Sequence, residues 1–317
     1  MKTAIILPAY NEELTIVAVI EAFHAAAPTA EIYVVDNNSS DATQKLARDT
    51  MARLGAPGGV LVEPRQGKGM AMRTAFLQIE ADIYVMVDAD MTYHADELTK
   101  LMQPVIDGSA DMVVGDRHKL GGYEKENKRA YHGFGNNLVR NLINIAFGAK
   151  LNDILTGYRV FSRRFVRSFP ILYPGFQLET ELALHALDKR MAVLEIPIAY
   201  SDRPAGSWSK LNTFRDGFRV LLTIFNIFRY YKPVFFFGGM SVLCFIAGIA
   251  VGTPVLREYI NYRYVYAIPS AILATGMMIL SLLLFALALI LDASVHQHRF
   301  QFELTLHQVE KRNPQGG

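Results

Sequence analysis

Through its first third the chain alternates short apolar runs with longer segments whose apolar positions recur every three or four residues. Residues 3–7, 31–35, 60–63, 83–87 and 111–115 are brief and rich in Ile, Val and Leu, and they read as strands, the first of them buried. Between them, residues 11–26, 41–54, 68–78 and 95–106 carry helical spacing. Glu12 and Glu13 fall in the first turn of the first helix, where the dipole favours acids, and Ser39 or Ser40 is placed to cap the second. This rhythm predicts an α/β fold, a mostly parallel sheet with helices on both faces.

Beyond residue 115 the pattern loosens. Residues 121–129 are polar, charged and glycine-bearing and read as a loop or lid, and 136–147 are amphipathic, with Leu138, Leu142, Ile145 and Ala146 on one side. Residues 213–231 set Phe214, Phe218, Leu221, Leu222, Phe225 and Phe228 at helical spacing, accompanied by Arg215, Arg219 and Arg229. That combination predicts a helix lying in a membrane interface, with an ordinary helix packed on a soluble core as the plainer alternative.

From 233 to 255, and again from 264 to 291, no residue is charged. Each run exceeds the roughly 20 apolar residues that a bilayer-crossing helix needs. The connector, 256–263, holds Arg257, Glu258 and Arg263, so a tight hairpin is expected. Arg215, Arg219, Arg229 and Lys232 precede it; Arg299, Lys311 and Arg312 follow. By the positive-inside rule both flanks are cytoplasmic, with Tyr230, Tyr231, Tyr259, Tyr262, Tyr264 and Tyr266 as an aromatic belt. The expected organisation is a catalytic domain at 1–212, an interfacial helix at 213–232, a transmembrane hairpin at 233–292 and a tail at 293–317. The protein would then be a multi-pass plasma-membrane protein with its catalytic domain and both termini in the cytoplasm. The apolar stretch at residues 4–7 is too short for a signal peptide.

Composition adds exclusions. The chain has 317 residues, and its net charge of +2 is too small to argue for nucleic acid. Its one cysteine, Cys244, rules out an internal disulfide.

Four segments end or flank the strands and would meet at one edge of the sheet: Pro8-Ala9-Tyr10-Asn11-Glu12, Asp36-Asn37-Asn38-Ser39-Ser40-Asp41, Arg65-Gln66-Gly67-Lys68-Gly69 and Asp88-Ala89-Asp90. At the end of the fourth strand, alternation puts Asp88 and Asp90 on the same side of an extended segment, where they can grip Mg²⁺ or Mn²⁺. A solvated acidic turn is the bland reading of that triplet alone. Together the four segments supply an aromatic ring, amides, carboxylates, a glycine-flanked lysine and a metal site, which suits a nucleoside diphosphate. Gly67-Lys68-Gly69 lacks the spacing of a P-loop, and no Gly-x-Gly-x-x-Gly follows the first strand, so a nicotinamide enzyme is not expected.

In this order the motifs resemble the family 2 glycosyltransferases of the GT-A fold. With the apolar hairpin they look like the polyprenyl-phosphate glycosyltransferases, the group containing dolichyl-phosphate mannose synthase. The resemblance implies that Pro8, Tyr10, Glu12 and Asp36 hold the nucleoside, that Asp88 lies between ribose and metal, and that Asp90 ligates the metal. Ala89 and Lys68 then belong to the donor site. Thr156-Gly157-Tyr158-Arg159 matches an element beside the donor sugar, which brings Arg159 to the substrate. Arg117 and Arg129 become candidates for the acceptor phosphate or the donor diphosphate, and Arg203 and Lys210 for the arriving lipid phosphate.

It further implies inverting transfer of one sugar from UDP-glucose, UDP-N-acetylglucosamine or GDP-mannose to polyprenyl phosphate, by an enzyme that assembles as a homo-oligomer. Two departures stand out: Asn37 replaces a second acid after Asp36, and Thr92 replaces a glutamine common in mannosyl members. Thr92 therefore tilts the donor away from mannose. Glu179 and Glu181 read equally as site residues or as a helix N-terminal turn. The rivals are a processive polysaccharide synthase, whose Gln-x-x-Arg-Trp motif is missing here, and a non-catalytic membrane module that binds lipid-linked sugars.

Overall fold

The computed structural model describes residues 1–119, 130–170, 178–201, 225–226 and 229–311. They fall into two compact units, Met1–Gly217 and Phe218–Gly317. In the first, every expected strand forms: β1 (Thr3–Ala9), β2 (Glu31–Asp36), β3 (Gly58–Val62), β4 (Ile83–Met86) and β5 (Met112–Asp116). Between them run α1 (Ile16–Ala26), α2 (Thr43–Leu54), α3 (Lys68–Gln78) and α4 (Leu98–Ile106), the last entered through a 3₁₀ turn at Ala95–Glu97.

Helix α1 starts five residues later than the periodicity suggests. Asn11 is left-handed (φ 53°), and the amides of Glu12 and Glu13 donate to Thr43 Oγ1 at 2.8 Å and Asp41 Oδ2 at 3.2 Å, so the segment is tied to the neighbouring loop. The start of α2 is served by Asp41, whose Oδ1 accepts from the Thr43 amide at 3.0 Å, rather than by Ser39 or Ser40.

Beyond β5 come α5 (Ala130–Phe147), β6 (Arg159–Ser162), α6 (Arg163–Ser168), α7 (Leu178–Asp188) and β7 (Val193–Pro197). Neither β6 nor β7 is anticipated by the apolar pattern. The strand order is β3-β2-β1-β4-β6-β5-β7, and β6 alone runs antiparallel to its neighbours. One face packs Ile5, Leu7, Val34 and Val85 against Ile16, Ile20 and Phe23 of α1 and Leu98 and Leu101 of α4. On the other, Phe76 of α3 meets Tyr84 and Phe161 edge-on, and Phe161 stacks on Phe165 of α6. Strands covered on both faces have no solvent side, which is why they read as apolar runs without alternation. The chain leaves β1 for β2 on one side and returns to β4 on the other, so a crevice opens at the carboxyl ends of β1 and β4, the usual ligand position in such sheets.

The second unit is a helical hairpin. After a π turn at Val234–Gly238, α8 (Gly239–Tyr262) leads through a short turn into α9 (Ile268–Lys311). The connector is thus shorter than 256–263. Arg263 closes α8 in the left-handed conformation, and Glu258 Oε2 accepts the amides of Tyr266 and Ala267. Helix α9 also runs without a break past the boundary expected at 292. Both helices are long and apolar enough to cross a membrane. Ser241 and Ser281 exchange hydroxyl-to-carbonyl bonds of 2.8 and 2.9 Å across the pair. Gly252 faces Ala274, so small residues bring the helices close.

Candidate active site

The crevice is built from loops that bind one another before any ligand arrives. After β1, Tyr10 and Glu12 are half-buried, as is Pro8 within the strand opposite Val35. Thr15 anchors this loop to the segment after β4 by donating its hydroxyl to the Ala89 carbonyl at 2.7 Å. At the end of β2, Asp36 is 3% exposed and its Oδ1 has no hydrogen-bond partner. A buried acceptor left in that state is costly unless a ligand donor meets it.

Asn37 explains its departure from the family pattern. Its amide nitrogen donates to the carbonyls of Glu63 and Arg65 at 3.2 and 2.7 Å, while its oxygen accepts from the Gly67 amide at 2.7 Å. A carboxylate cannot donate, so an aspartate here would lose two of the three bonds that shape the loop before Lys68. Glu63 holds the same loop from beneath. Its carboxylate takes a bidentate grip from Arg65 and a bond from Thr74, and the Arg65 bonds above all hold its pKa down at about 2, against the pull of burial.

Strand β4 ends at Met86, so the alternation expected to align Asp88 with Asp90 does not apply. The two carboxylates are placed by separate devices. Asp90 is 4% exposed, and its Oδ1 accepts from the amide and the hydroxyl of Thr92 at 3.2 and 2.5 Å. Thr92 therefore positions a carboxylate. Asp88 is more open, with 29% of its side chain exposed. It rests against Gly157, where an added Cβ would stand 2.6 Å from the Asp88 carboxyl carbon. The Gly157 amide is fixed by donating to the Tyr93 hydroxyl at 2.8 Å. The Thr156-Gly157-Tyr158-Arg159 element thus reaches the site through its glycine.

Lys68, the first residue of α3, lies between two acids. Its Nζ is 2.5 Å from Asp88 Oδ1 and 2.6 Å from Glu179 Oε1. Burial opposes the charge, but Asp88 and then Glu179 outweigh it and raise the lysine pKa. Glu179 sits in the first turn of α7 and is buried. Its Gln-Leu-Glu-Thr-Glu context is equally that of an ordinary helix start, so only the fold separates the two readings.

Arg159 is fully buried at the start of β6, where it lies between Met86 of β4 and Val114 of β5. It donates to the carbonyls of Thr156 and Ile154, so it shapes the loop that carries Gly157. Arg117 is 8% exposed, paired bidentately with Asp153 at 2.7 and 2.9 Å and lying 5.3 Å from the Tyr200 ring centre. Burial works against the Asp153 charge, yet Arg117 prevails and keeps its carboxyl below the usual range. Arg129, Arg203 and Lys210 lie outside the described residues, as does most of 213–232.

Among the described residues no three His, Cys, Asp or Glu side chains converge on a metal position. The donor set of Asp88 and Asp90 fits a hard divalent cation whose shell is completed by substrate phosphates, and does not fit a caged structural ion.

Residues 4–169 match the model of glycosyl transferase family 2, and the chain belongs to that family. It is similar over nearly its whole length to glycosyltransferase AglJ of Haloferax volcanii, with 29% identity across 94% of this chain and 95% of that protein. Polyprenol monophosphomannose synthase of Mycolicibacterium smegmatis is 30% identical over 65% of this chain and 79% of its own. Among solved structures, glucosyl-3-phosphoglycerate synthase of Mycobacterium tuberculosis with Mn²⁺ and UDP-glucose superposes with a TM-score of 0.55. That match has 22% identity and covers 71% of this chain and 78% of the other, a likeness of GT-A-like fold.

Proposed function

We propose that this family 2 glycosyltransferase moves a single sugar from a nucleotide donor to polyprenyl phosphate at the cytoplasmic face of a membrane, with inversion at the anomeric carbon. The observation that carries the reading is one chain joining the Asp88–Lys68–Glu179 cluster at the sheet's carboxyl edge to two long helices with outward apolar surfaces. A relative that covers 65% of this chain is named polyprenol monophosphomannose synthase. The basic residues Arg229 and Lys232 before the hairpin and Arg299 after it favour a cytoplasmic position for both ends.

Asp88 and Asp90 would hold a Mg²⁺ or Mn²⁺ ion, which when bound neutralises the charge that grows on the departing diphosphate. Asp36, with its unpaired Oδ1, offers an acceptor to a hydroxyl or N–H of the nucleoside. Lys68 adds a fixed positive charge beside the phosphates. The acceptor needs little activation, because a phosphate monoester has a second pKa near ~6 and is mostly dianionic at neutral pH. Holding two anions together is therefore the chief task. Arg129, Arg203 and Lys210 are proposed for the lipid phosphate. Arg117 joins them only if a phosphate displaces Asp153.

The test is a screen of radiolabelled UDP-glucose, UDP-N-acetylglucosamine and GDP-mannose against undecaprenyl phosphate, read by thin-layer chromatography. One lipid-linked monosaccharide from one donor, lost with EDTA, is expected. A polymer would favour a processive synthase, and binding without transfer would favour a carrier module; either outcome defeats the proposal.

A further inference from the structure

Resting on that reading, we propose that Lys68 is a resident counter-cation of Asp88, which a divalent cation replaces only when a nucleotide diphosphate arrives to take the lysine. Glu179 is the positioning residue that keeps Lys68 in reach of both. The geometry is specific. The ammonium stands 2.5 Å from Asp88 Oδ1, on the more exposed of the two candidate metal carboxylates, and 2.6 Å from Glu179 Oε1. Lys68 is 11% exposed and Glu179 6%, so this end of the cluster is shielded while Asp88 faces the crevice. A buried pair broken on one side leaves an uncompensated charge. Lys68 escapes that cost on leaving Asp88, because Glu179 stays with it.

The charges give the order of events. Lys68, Asp88 and Glu179 sum to one net negative charge and Asp90 adds a second, so the site attracts a dication, but the ammonium held against Asp88 Oδ1 repels a lone dication at that ligand. No third acid assists, since no three metal-ligating side chains converge among the described residues. A diphosphate changes the balance by supplying anionic oxygens to Lys68 and further ligands to the ion. The site is thereby set to bind metal and nucleotide together and to bind metal alone weakly.

The experiment uses the full-length protein in detergent and measures Mn²⁺ binding by electron paramagnetic resonance, with and without UDP or GDP. Wild type is expected to bind Mn²⁺ weakly alone and much more tightly with the nucleotide it uses. Lys68→Met is expected to bind Mn²⁺ alone about tenfold more tightly than wild type, the effect of about 1.4 kcal/mol, and to lose most of the gain from nucleotide. Lys68→Arg, which keeps the charge, is expected to behave as wild type. Glu179→Gln leaves Lys68 to Asp88 alone, so Mn²⁺ alone binds no better and nucleotide affinity falls. Where Lys68→Met proves unstable by thermal melting, Lys68→Gln keeps hydrogen bonding without charge and carries the same expectation. Mn²⁺ affinity in the neutral variants equal to or below that of wild type, including no binding in either, overturns the proposal. The nucleotide-free arm uses the metal alone, so failure to find any sugar transfer would strike the proposed function while leaving this result standing.

Discussion

The catalytic domain and the C-terminal hairpin expose leucines to nearly the same degree, Leu77 on α3 at 66% and Leu282 on α9 at 68%. Leu77 lies next to Gln78 and one helical turn from Arg73, an isolated apolar group on a wet surface. Leu282 lies among Ile279, Leu280, Leu283 and Phe285, all exposed. So continuous an exposed apolar surface marks a contact with a membrane or with another protein. The interiors are reversed as well. The domain buries Asp36, Glu63, Asp90, Asp153, Arg159 and Glu179, and most of these are held by named partners. The hairpin interior holds a serine pair. Charge is concentrated where chemistry needs it and excluded where the surroundings forbid it.

The strongest way to test the polar side of this contrast is Asp90→Ala. Loss of a preorganised electrostatic group should lower kcat for lipid-linked sugar formation by about 10²–10³, with the fold retained by circular dichroism. Wild-type turnover in that variant would place the chemistry elsewhere. On the apolar side, Leu282→Lys puts a charge near the middle of the second span, at a cost of roughly 2.5–3.5 kcal/mol. Less protein should then co-sediment with membranes and resist carbonate extraction. Unchanged partitioning would mean that α9 is not surrounded by lipid.

Gly157→Ala is subtler, since the new Cβ must push Asp88 aside. A displacement of this size is expected to reduce kcat/KM by roughly 10–10² while the melting temperature moves little. Glu63→Gln tests the loop beneath Lys68. The Glu63 pKa is lowered from 4.5 to about 2, so its contribution to stability is complete above pH 4.5 and is lost as the pH falls towards 2. The melting-temperature gap between wild type and variant should narrow across that window, and a gap independent of pH would deny the charged Arg65 pairing. The smallest effect is expected for Leu77→Lys, within about 0.5 kcal/mol in chemical denaturation and with no change in partitioning. It is the water-facing control for Leu282→Lys.

The legible parts of the molecule were those governed by local rules. Strands β1 to β5 and helices α1 to α4 follow from apolar periodicity, and the hairpin from the length of two uncharged runs. Strand β6 was hidden because its first residue is an arginine, a charge that sequence reasoning sends to the surface. Only the carbonyls of Ile154 and Thr156, assembled around it, make its burial tolerable. Asp88, Lys68 and Asp36 are singled out by their motifs, whereas Glu179 is not separable from a helix start.

The α/β order, the apolar hairpin and the acids after the strands are legible in the chain, because each depends on residues near one another along it. The tertiary structure alone decided that Lys68 meets Glu179, 111 residues away, that Gly157 supports Asp88, and that Arg159 serves the scaffold. Those pairings depend on which loops the sheet order brings together, and local periodicity carries no record of it.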